Sequence, residues 1–213
     1  MILSESLRRR PASNGKHACR SAAIGVTGAT NLAARLFEQS KSFLLMESTM
    51  QTKDAIKLAL ASTRDLLTGY LGDLGDNDLL VCPVPGANHI AWQLGHLIAS
   101  EKHLLKSSLP GADYPELPAD LEKQASGKSA TDGKPGGFTS KAGYLDHFNK
   151  VRSATIVAVD KLADKDFDRP YDGELKAFAP TLGALLILVA NHTLMHGGQF
   201  TVTRRALKKP VLF

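Results

Sequence analysis

Apolar residues recur at every third or fourth position over four stretches of the chain, the spacing that places them on one face of an α-helix. No stretch shows the strict alternation that is typical of half-buried strands. The four predicted helices run from Thr52 to about Gly72, from about Asn88 to Lys106, from Thr139 or Ser140 to about Ala163, and from Thr181 to about Leu207.

Helix-capping residues and a long connection complete the predicted architecture. Asn88, Thr139 or Ser140, and Thr181 stand where N-caps are needed. Residues 107–138 are rich in proline and glycine, which indicates a surface connection. The sequence therefore predicts an all-α fold, a four-helix bundle with a long crossover connection between helices 2 and 3. The run Leu182–Ala190 is apolar nearly all round, so we expect the fourth helix to be central.

The first 45 residues differ from the rest. They are rich in Ser, Ala and Arg and show neither helical nor strand periodicity. We interpret residues 1–45 as an extension that is disordered or an artefact of the assigned start, since Met46 and Met50 directly precede the first helix. Its composition makes a poor secretory signal and leaves a transit peptide open. Residues 46–213 are then one helical domain.

Charge and composition argue against nucleic acid and membrane as partners. Residues 1–50 carry seven Lys or Arg against three Asp or Glu, so most of the net charge of +5 lies outside the predicted bundle, and nucleic-acid binding has little support. The longest apolar stretch is far shorter than the ~20 residues of a membrane span. Cys19 and Cys82 form no disulfide framework, which favours a reducing compartment and a cytoplasmic protein.

Two histidines on the fourth helix carry the clearest chemical signal. His192 and His196 are four residues apart, so they lie on one helical face with Cβ atoms roughly 6 Å apart. Two imidazoles in this arrangement can share one divalent metal ion. The alternative is a pair of hydrogen-bonded core histidines, although each ring would then need its own polar partner.

A third ligand must come from elsewhere in the chain. His89, His96 and His103 are spaced by seven on the second helix, about 10 Å apart along its axis, so one metal can use only one of them. His96 is favoured because it is mid-helix, at the expected depth of the core. His89 and His103 lie near the helix ends, where surface roles are commoner. His147 is expected on a solvated face, and His17 is in the extension.

Two segments carry a family resemblance: ANHIAWQLGHLIASE (residues 87–101) and NHTLMHGGQFTVTRRALKKP (residues 191–210). Together they resemble the DinB/YfiT-like superfamily of metal-binding four-helix bundles, over about residues 50–213. The resemblance implies that His96, His192 and His196 are the metal ligands. Gly197 departs from the family pattern, in which a bulkier residue often precedes the glycine.

The resemblance also implies a function. Family members with known activity use a metal and a low-molecular-weight thiol in transfer or isomerisation reactions, so we expect a thiol activated for attack on a small-molecule electrophile. The alternatives are hydrolysis by metal-activated water and a metal-stabilised binding module without catalysis. We expect zinc, which suits three nitrogens plus a water, while nickel and iron(II) also accept such sites and the ligand types alone do not choose among these metals.

Other features refine this expectation. Gln199 could orient a ligand or be a buried polar group. A metalloprotease is excluded because HExxH requires Glu where the chain has Thr193. The Gly197–Gly198 pair would allow close approach of a helix, a subunit or a ligand, and we expect a homodimer, as in relatives.

Overall fold

The computed structural model describes residues 50–123 and 138–212 of the chain. Four long helices hold most of these residues: α1 (Thr52–Leu71), α2 (Ile90–Leu105), α3 (Lys141–Asp160) and α4 (Leu182–Ala206). Between them lie a short helix, Ala119–Glu122, and two 3₁₀ turns, Asn77–Leu80 and Asp164–Asp168. No strand occurs in the described ranges, which confirms the all-α prediction. The predicted extension, residues 1–45, lies outside them.

Each long helix packs against two of the others. Helix α1 contacts α3 and α4, and α2 contacts the same two helices. The order around the bundle is therefore α1, α3, α2, α4, with α1 and α2 at opposite corners. The connection from α2 to α3 includes the short helix Ala119–Glu122, which packs against α2. Because residues 124–137 lie outside the described ranges, the crossover itself stays a prediction.

The helices begin close to the predicted residues, with one correction. Ser140 caps α3 by accepting a hydrogen bond from the Gly143 amide, and Thr181 caps α4 through the Ala184 amide. Helix α2 is capped by His89, not by Asn88, since the Nδ1 atom of His89 accepts from the Trp92 amide at 3.1 Å. An unprotonated imidazole nitrogen thus replaces the usual side-chain oxygen.

Helix α4 is not central, contrary to the expectation from its apolar run. It is one corner of the bundle, and its outer face leaves Ile187, Leu194 and Met195 40–55% exposed. Apolar composition on all sides does not require burial on all sides, because much of any protein surface is apolar. Gly197 faces inward, and a Cβ there would lie 3.2 Å from Leu66 of α1, so this glycine allows the close approach of a helix.

A buried ion pair that the sequence pattern did not predict crosses the bundle. Arg152 of α3 and Glu101 of α2 are 1% and 2% exposed, and the Arg152 Nη2 atom lies 2.9 Å from Glu101 Oε2. The Nε atom of Arg152 also donates to the carboxylate, at 3.0 Å from Oε2. Such a pair is stable only when the remaining donors and acceptors are satisfied as well.

The remaining hydrogen bonds of this pair come from the other helices. Arg152 Nη1 donates to the Leu60 carbonyl of α1 at 2.7 Å and to Thr63 Oγ1 at 3.1 Å. Its Nη2 donates to Thr193 Oγ1 of α4 at 2.8 Å. All five N–H groups of the guanidinium therefore have acceptors. The network joins all four long helices through one side chain.

Thr155 and Tyr114 complete the carboxylate side of the network. Thr155 Oγ1 donates to Glu101 Oε1 at 2.7 Å. Because the single hydroxyl proton of Thr155 is used there, Tyr114 donates its own hydroxyl to Thr155 Oγ1 at 3.0 Å. Burial raises the pKa of Tyr114, which keeps this hydroxyl protonated as a donor. We refer to Glu101, Arg152, Thr155 and Tyr114 with their partners as the Arg152 network.

Candidate metal centre

The fold brings together the three histidines that the sequence singled out. His96 projects from α2, and His192 and His196 project from successive turns of α4, which packs against α2. One ring nitrogen from each lies within 4.8 Å of those of the other two. The ring centroids are 4.8 Å apart for His192 and His196, and 5.0 Å and 5.5 Å from His96 to these two rings. These three side chains could hold a metal ion.

The distance between the ring nitrogens of the two α4 histidines fits binding to one shared metal ion. The Nε2 atoms of His192 and His196 are 3.1 Å apart. Two nitrogens bound to one metal at about 2.0–2.1 Å lie about 2.8–3.4 Å apart for bond angles between octahedral and tetrahedral values. The helical i, i+4 spacing therefore places both nitrogens at a separation that one metal ion requires.

A buried glutamine holds the ring of His196. The Oε1 atom of Gln93 lies 2.8 Å from His196 Nδ1, and the Nε2 atom of Gln93 donates to the Asn88 carbonyl at 2.8 Å. Gln93 is 2% exposed and His196 is 6% exposed. Gln93 precedes His96 by one helical turn, so one stretch of α2 carries both a candidate ligand and a contact to another.

His96 is held by two neighbours on its own helix. Its ring stacks on the indole of Trp92, with centroids 5.0 Å apart and planes 14° from parallel. Its Nδ1 atom lies 3.2 Å from Ser100 Oγ. His96 is half-buried, not at full core depth as expected, and His192 is half-buried too. The cluster therefore lies near the bundle surface, with its deepest ring, His196, facing the interior.

Burial keeps the two α4 histidines, His192 and His196, in their neutral form. Burial, followed by the neighbouring His96, lowers the pKa of His192 to about 4. Burial, followed by the two neighbouring histidines, lowers the pKa of His196 to about 3. At neutral pH both rings are thus uncharged, which is the protonation state that metal binding requires.

The other histidines lie apart from this cluster. His103 is exposed, as expected for the end of α2, with Nε2 3.3 Å from a Glu174 carboxylate oxygen. His89 was expected at the surface, but it is 2% exposed because its cap role turns the ring inward. His147 is half-buried on α3. His17 lies outside the described residues.

Two further residues near the site have clear places in the structure. Gln199 is exposed, one turn beyond His196, and its role in orienting a ligand stays a prediction. Thr193, which stands where an HExxH motif would have its glutamate, is 1% exposed and accepts a hydrogen bond from Arg152. It is therefore part of the Arg152 network. Gln93 was missed by sequence reasoning, although a polar residue between Trp92 and Leu94 in an apolar helix is an unusual signal.

A comparison with known families agrees with the helical fold. The sequence profile of the DinB superfamily matches residues 59–200, which is more than half of the chain and includes all three histidines. The chain belongs to the DinB superfamily. The match confirms the family resemblance and the helical fold. It does not identify the reaction of this member.

A solved structure gives the same fold for this DinB protein. The crystal structure of a conserved protein from Enterococcus faecalis is 15% identical in sequence, with a TM-score of 0.52, over 75% of this chain and 99% of that one. At this identity the likeness concerns the fold alone. No curated protein sequence matches the chain. In the part of the chain that the structure describes, no helix is long and apolar enough to span a membrane.

Proposed function

We propose that this DinB protein binds one divalent metal ion through His96, His192 and His196 and uses it on a small-molecule substrate. The observation that carries the proposal is the convergence of three imidazole nitrogens within 4.8 Å. Two of these rings are kept neutral by burial, so their lone pairs are available to a cation. Membership of a metal-binding superfamily supports the same assignment.

The donor set favours zinc and an exchangeable ligand. Three imidazoles are a familiar catalytic zinc set, with a further position left for water or substrate. Nickel or iron(II) would also accept these nitrogens. Because all three donors are neutral, the metal keeps its full double charge and lowers the pKa of a thiol or water that binds to it. The partial exposure of His96 and His192 gives such a molecule a route from solvent.

The activity we propose is transfer or isomerisation with a low-molecular-weight thiol as co-substrate. His96, His192 and His196 would hold the metal, and no side-chain acid or base is assigned a role. Family membership and the neutral donor set support this reaction class. Hydrolysis of a small molecule by activated water would need the same centre, and a thiol-transfer assay separates the two reactions.

Metal analysis tests the binding claim first. Protein purified without chelators, then titrated with Zn²⁺ and desalted, should carry one metal per chain by mass spectrometry. His192→Ala should abolish stoichiometric binding. His103→Ala is the matched control, because it removes an exposed histidine from the same helix as His96. The claim is wrong if the wild-type protein holds no metal after purification and gains none on titration.

An activity assay then tests the reaction class. The metal-loaded protein, a thiol such as bacillithiol, mycothiol or glutathione, and a chloro-dinitro aromatic electrophile should give conjugate faster than the thiol alone. The metal-free protein and His192→Ala should give only the background rate. A metal-loaded protein that shows no acceleration with any of the thiols would instead indicate hydrolysis or a binding module.

A further inference from the structure

We infer that Gln93 is a positioning residue of this centre: it fixes the proton of His196 on Nδ1 and so leaves the Nε2 lone pair free for the metal. The inference rests on the proposed metal site and adds a residue outside the ligand set. It follows from hydrogen-bond directions that the structure determines, since each neutral imidazole carries one N–H and one acceptor nitrogen.

The orientation of the Gln93 amide is determined by its second partner. The backbone carbonyl of Asn88 can only accept, so the group 2.8 Å from it must be the donating NH₂ of Gln93. The carbonyl oxygen of the amide, Oε1, then faces His196 Nδ1 at 2.8 Å. Because an amide oxygen can only accept, His196 must donate from Nδ1, and its Nε2 atom is unprotonated.

The contact between the two α4 rings agrees with this assignment. The Nε2 atoms of the two rings are 3.1 Å apart, and whenever no metal ion lies between them the proton of a hydrogen bond there would belong to His192, because His196 has none on Nε2. In the metal-bound protein both nitrogens would face the ion. The same His196 tautomer thus suits both situations, whereas His192 would bind a metal through Nε2 only with that nitrogen unprotonated.

Because the hydrogen bond between Gln93 and His196 is buried, its loss should lower metal affinity. Gln93 and His196 are 2% and 6% exposed, so water does not readily replace a lost partner. Residues that orient a metal-bound histidine through its second nitrogen typically contribute about 10–100-fold to metal affinity. Gln93 also connects the beginning of α2, through the Asn88 carbonyl, to the deepest histidine of α4.

The experiment has two readouts. The first is the tautomer of each site histidine in the metal-free protein, read from ¹⁵N NMR shifts of the ring nitrogens. Wild type should show His196 unprotonated at Nε2, whereas Gln93→Met, which keeps the side-chain length and removes the acceptor, should shift His196 toward the Nε2–H form. The second is Zn²⁺ affinity measured by competition with a chelating dye, where Gln93→Met should lose about 10–100-fold.

Two further variants separate positioning from general stability. Gln93→Glu keeps an acceptor for Nδ1–H, and its carboxyl, when protonated, can also donate to the Asn88 carbonyl, so this variant should retain the wild-type tautomer of His196 and most of the Zn²⁺ affinity. Thr155→Val removes a buried polar group of the Arg152 network, away from the histidines, and should change neither readout.

Distinct results overturn the inference and the proposed function. An Nε2–H tautomer of His196 in wild-type protein overturns the role of Gln93 without any variant, so the test survives even if Gln93→Met does not fold. Equal tautomers and equal Zn²⁺ affinities in wild type and Gln93→Met overturn it as well. If wild type binds no metal, the proposed function fails, while the tautomer measurement still decides whether Gln93 fixes His196.

Discussion

Two polar clusters lie in the same bundle and share helices α2 and α4, yet their chemistry is opposite. The Arg152 network is charged, and every N–H of its guanidinium has an acceptor within the protein. The histidine cluster contains two rings, His192 and His196, that burial keeps neutral, and one nitrogen of each of its three rings converges with the others. One cluster contains its own cation, and the other could hold a metal ion.

The difference shows how burial alone fails to identify a functional site. Arg152 is more deeply buried than His96 or His192, but its partners leave nothing for a ligand to satisfy. The histidines lie nearer to solvent, and one ring nitrogen of each converges with those of the other two. A charged cluster whose hydrogen bonds are all made within the protein indicates a structural role, whereas converging neutral ring nitrogens are the arrangement that could hold a cation.

The largest expected effect is the loss of one charge from the Arg152 network. Arg152→Met should lower the free energy of unfolding by about 3–5 kcal/mol, because it leaves the Glu101 carboxylate buried without its cation. The double variant Arg152→Met with Glu101→Leu should recover most of that loss, since no buried charge remains. Urea unfolding of the metal-free proteins measures both. A loss below about 1 kcal/mol in the single variant would show that the network is not structural.

Metal removal should affect only the histidine cluster. At a free Zn²⁺ concentration a thousand times the dissociation constant, binding should raise the free energy of unfolding by about 4 kcal/mol, and chelation should remove that gain. Thermal unfolding with and without chelator measures it. His192→Ala should show no Zn²⁺-dependent change, while Arg152→Met, if folded, should retain one. An equal Zn²⁺-dependent stabilisation in His192→Ala would place the metal elsewhere.

A subtler change in the Arg152 network should leave the histidines untouched. Thr155→Val removes the hydroxyl that donates to Glu101 and should cost about 2 kcal/mol of unfolding free energy, since the lost bond is to a charged group. Zn²⁺ affinity should be unchanged within the error of a dye-competition titration. A parallel fall in affinity would mean that the two clusters are coupled.

The smallest expected effect comes from the beginning of α4. Thr181→Ala removes the cap and should cost about 1 kcal/mol. Because His192 lies three turns further along the helix, Zn²⁺ affinity should stay at the wild-type value. Urea unfolding and the same titration check both. A tenfold loss of affinity would show that the histidine geometry depends on fraying at the helix end.

Local sequence patterns were sufficient for the helices and for the histidine set. Periodicity and the caps Ser140 and Thr181 placed α3 and α4 within a few residues of their observed limits. The i, i+4 spacing of His192 and His196 follows from helix geometry alone. His96 was favoured by its mid-helix place and by the family resemblance, and the structure brings it to the other two.

The features that the sequence pattern did not predict are contacts between residues that are far apart in the chain. Arg152 interacts with Glu101, which is 51 positions away, so no local rule identifies its partner. Gln93 and His196 are similarly remote, at 103 positions. The exposure of Ile187 depends on where α4 stands in the bundle, which apolar composition does not determine. A weak signal existed for Arg152, since its spacing from Phe148 and Thr155 places it on the same buried face of α3.

The central claim is that one metal ion is bound by three histidines, and an anomalous diffraction map of crystals grown with Zn²⁺ tests it most directly. Data collected above and below the zinc edge should show one strong peak at about 2.0–2.1 Å from a ring nitrogen of each of His96, His192 and His196. A map with no peak among these three rings, or with the ion held by other side chains, would contradict the account.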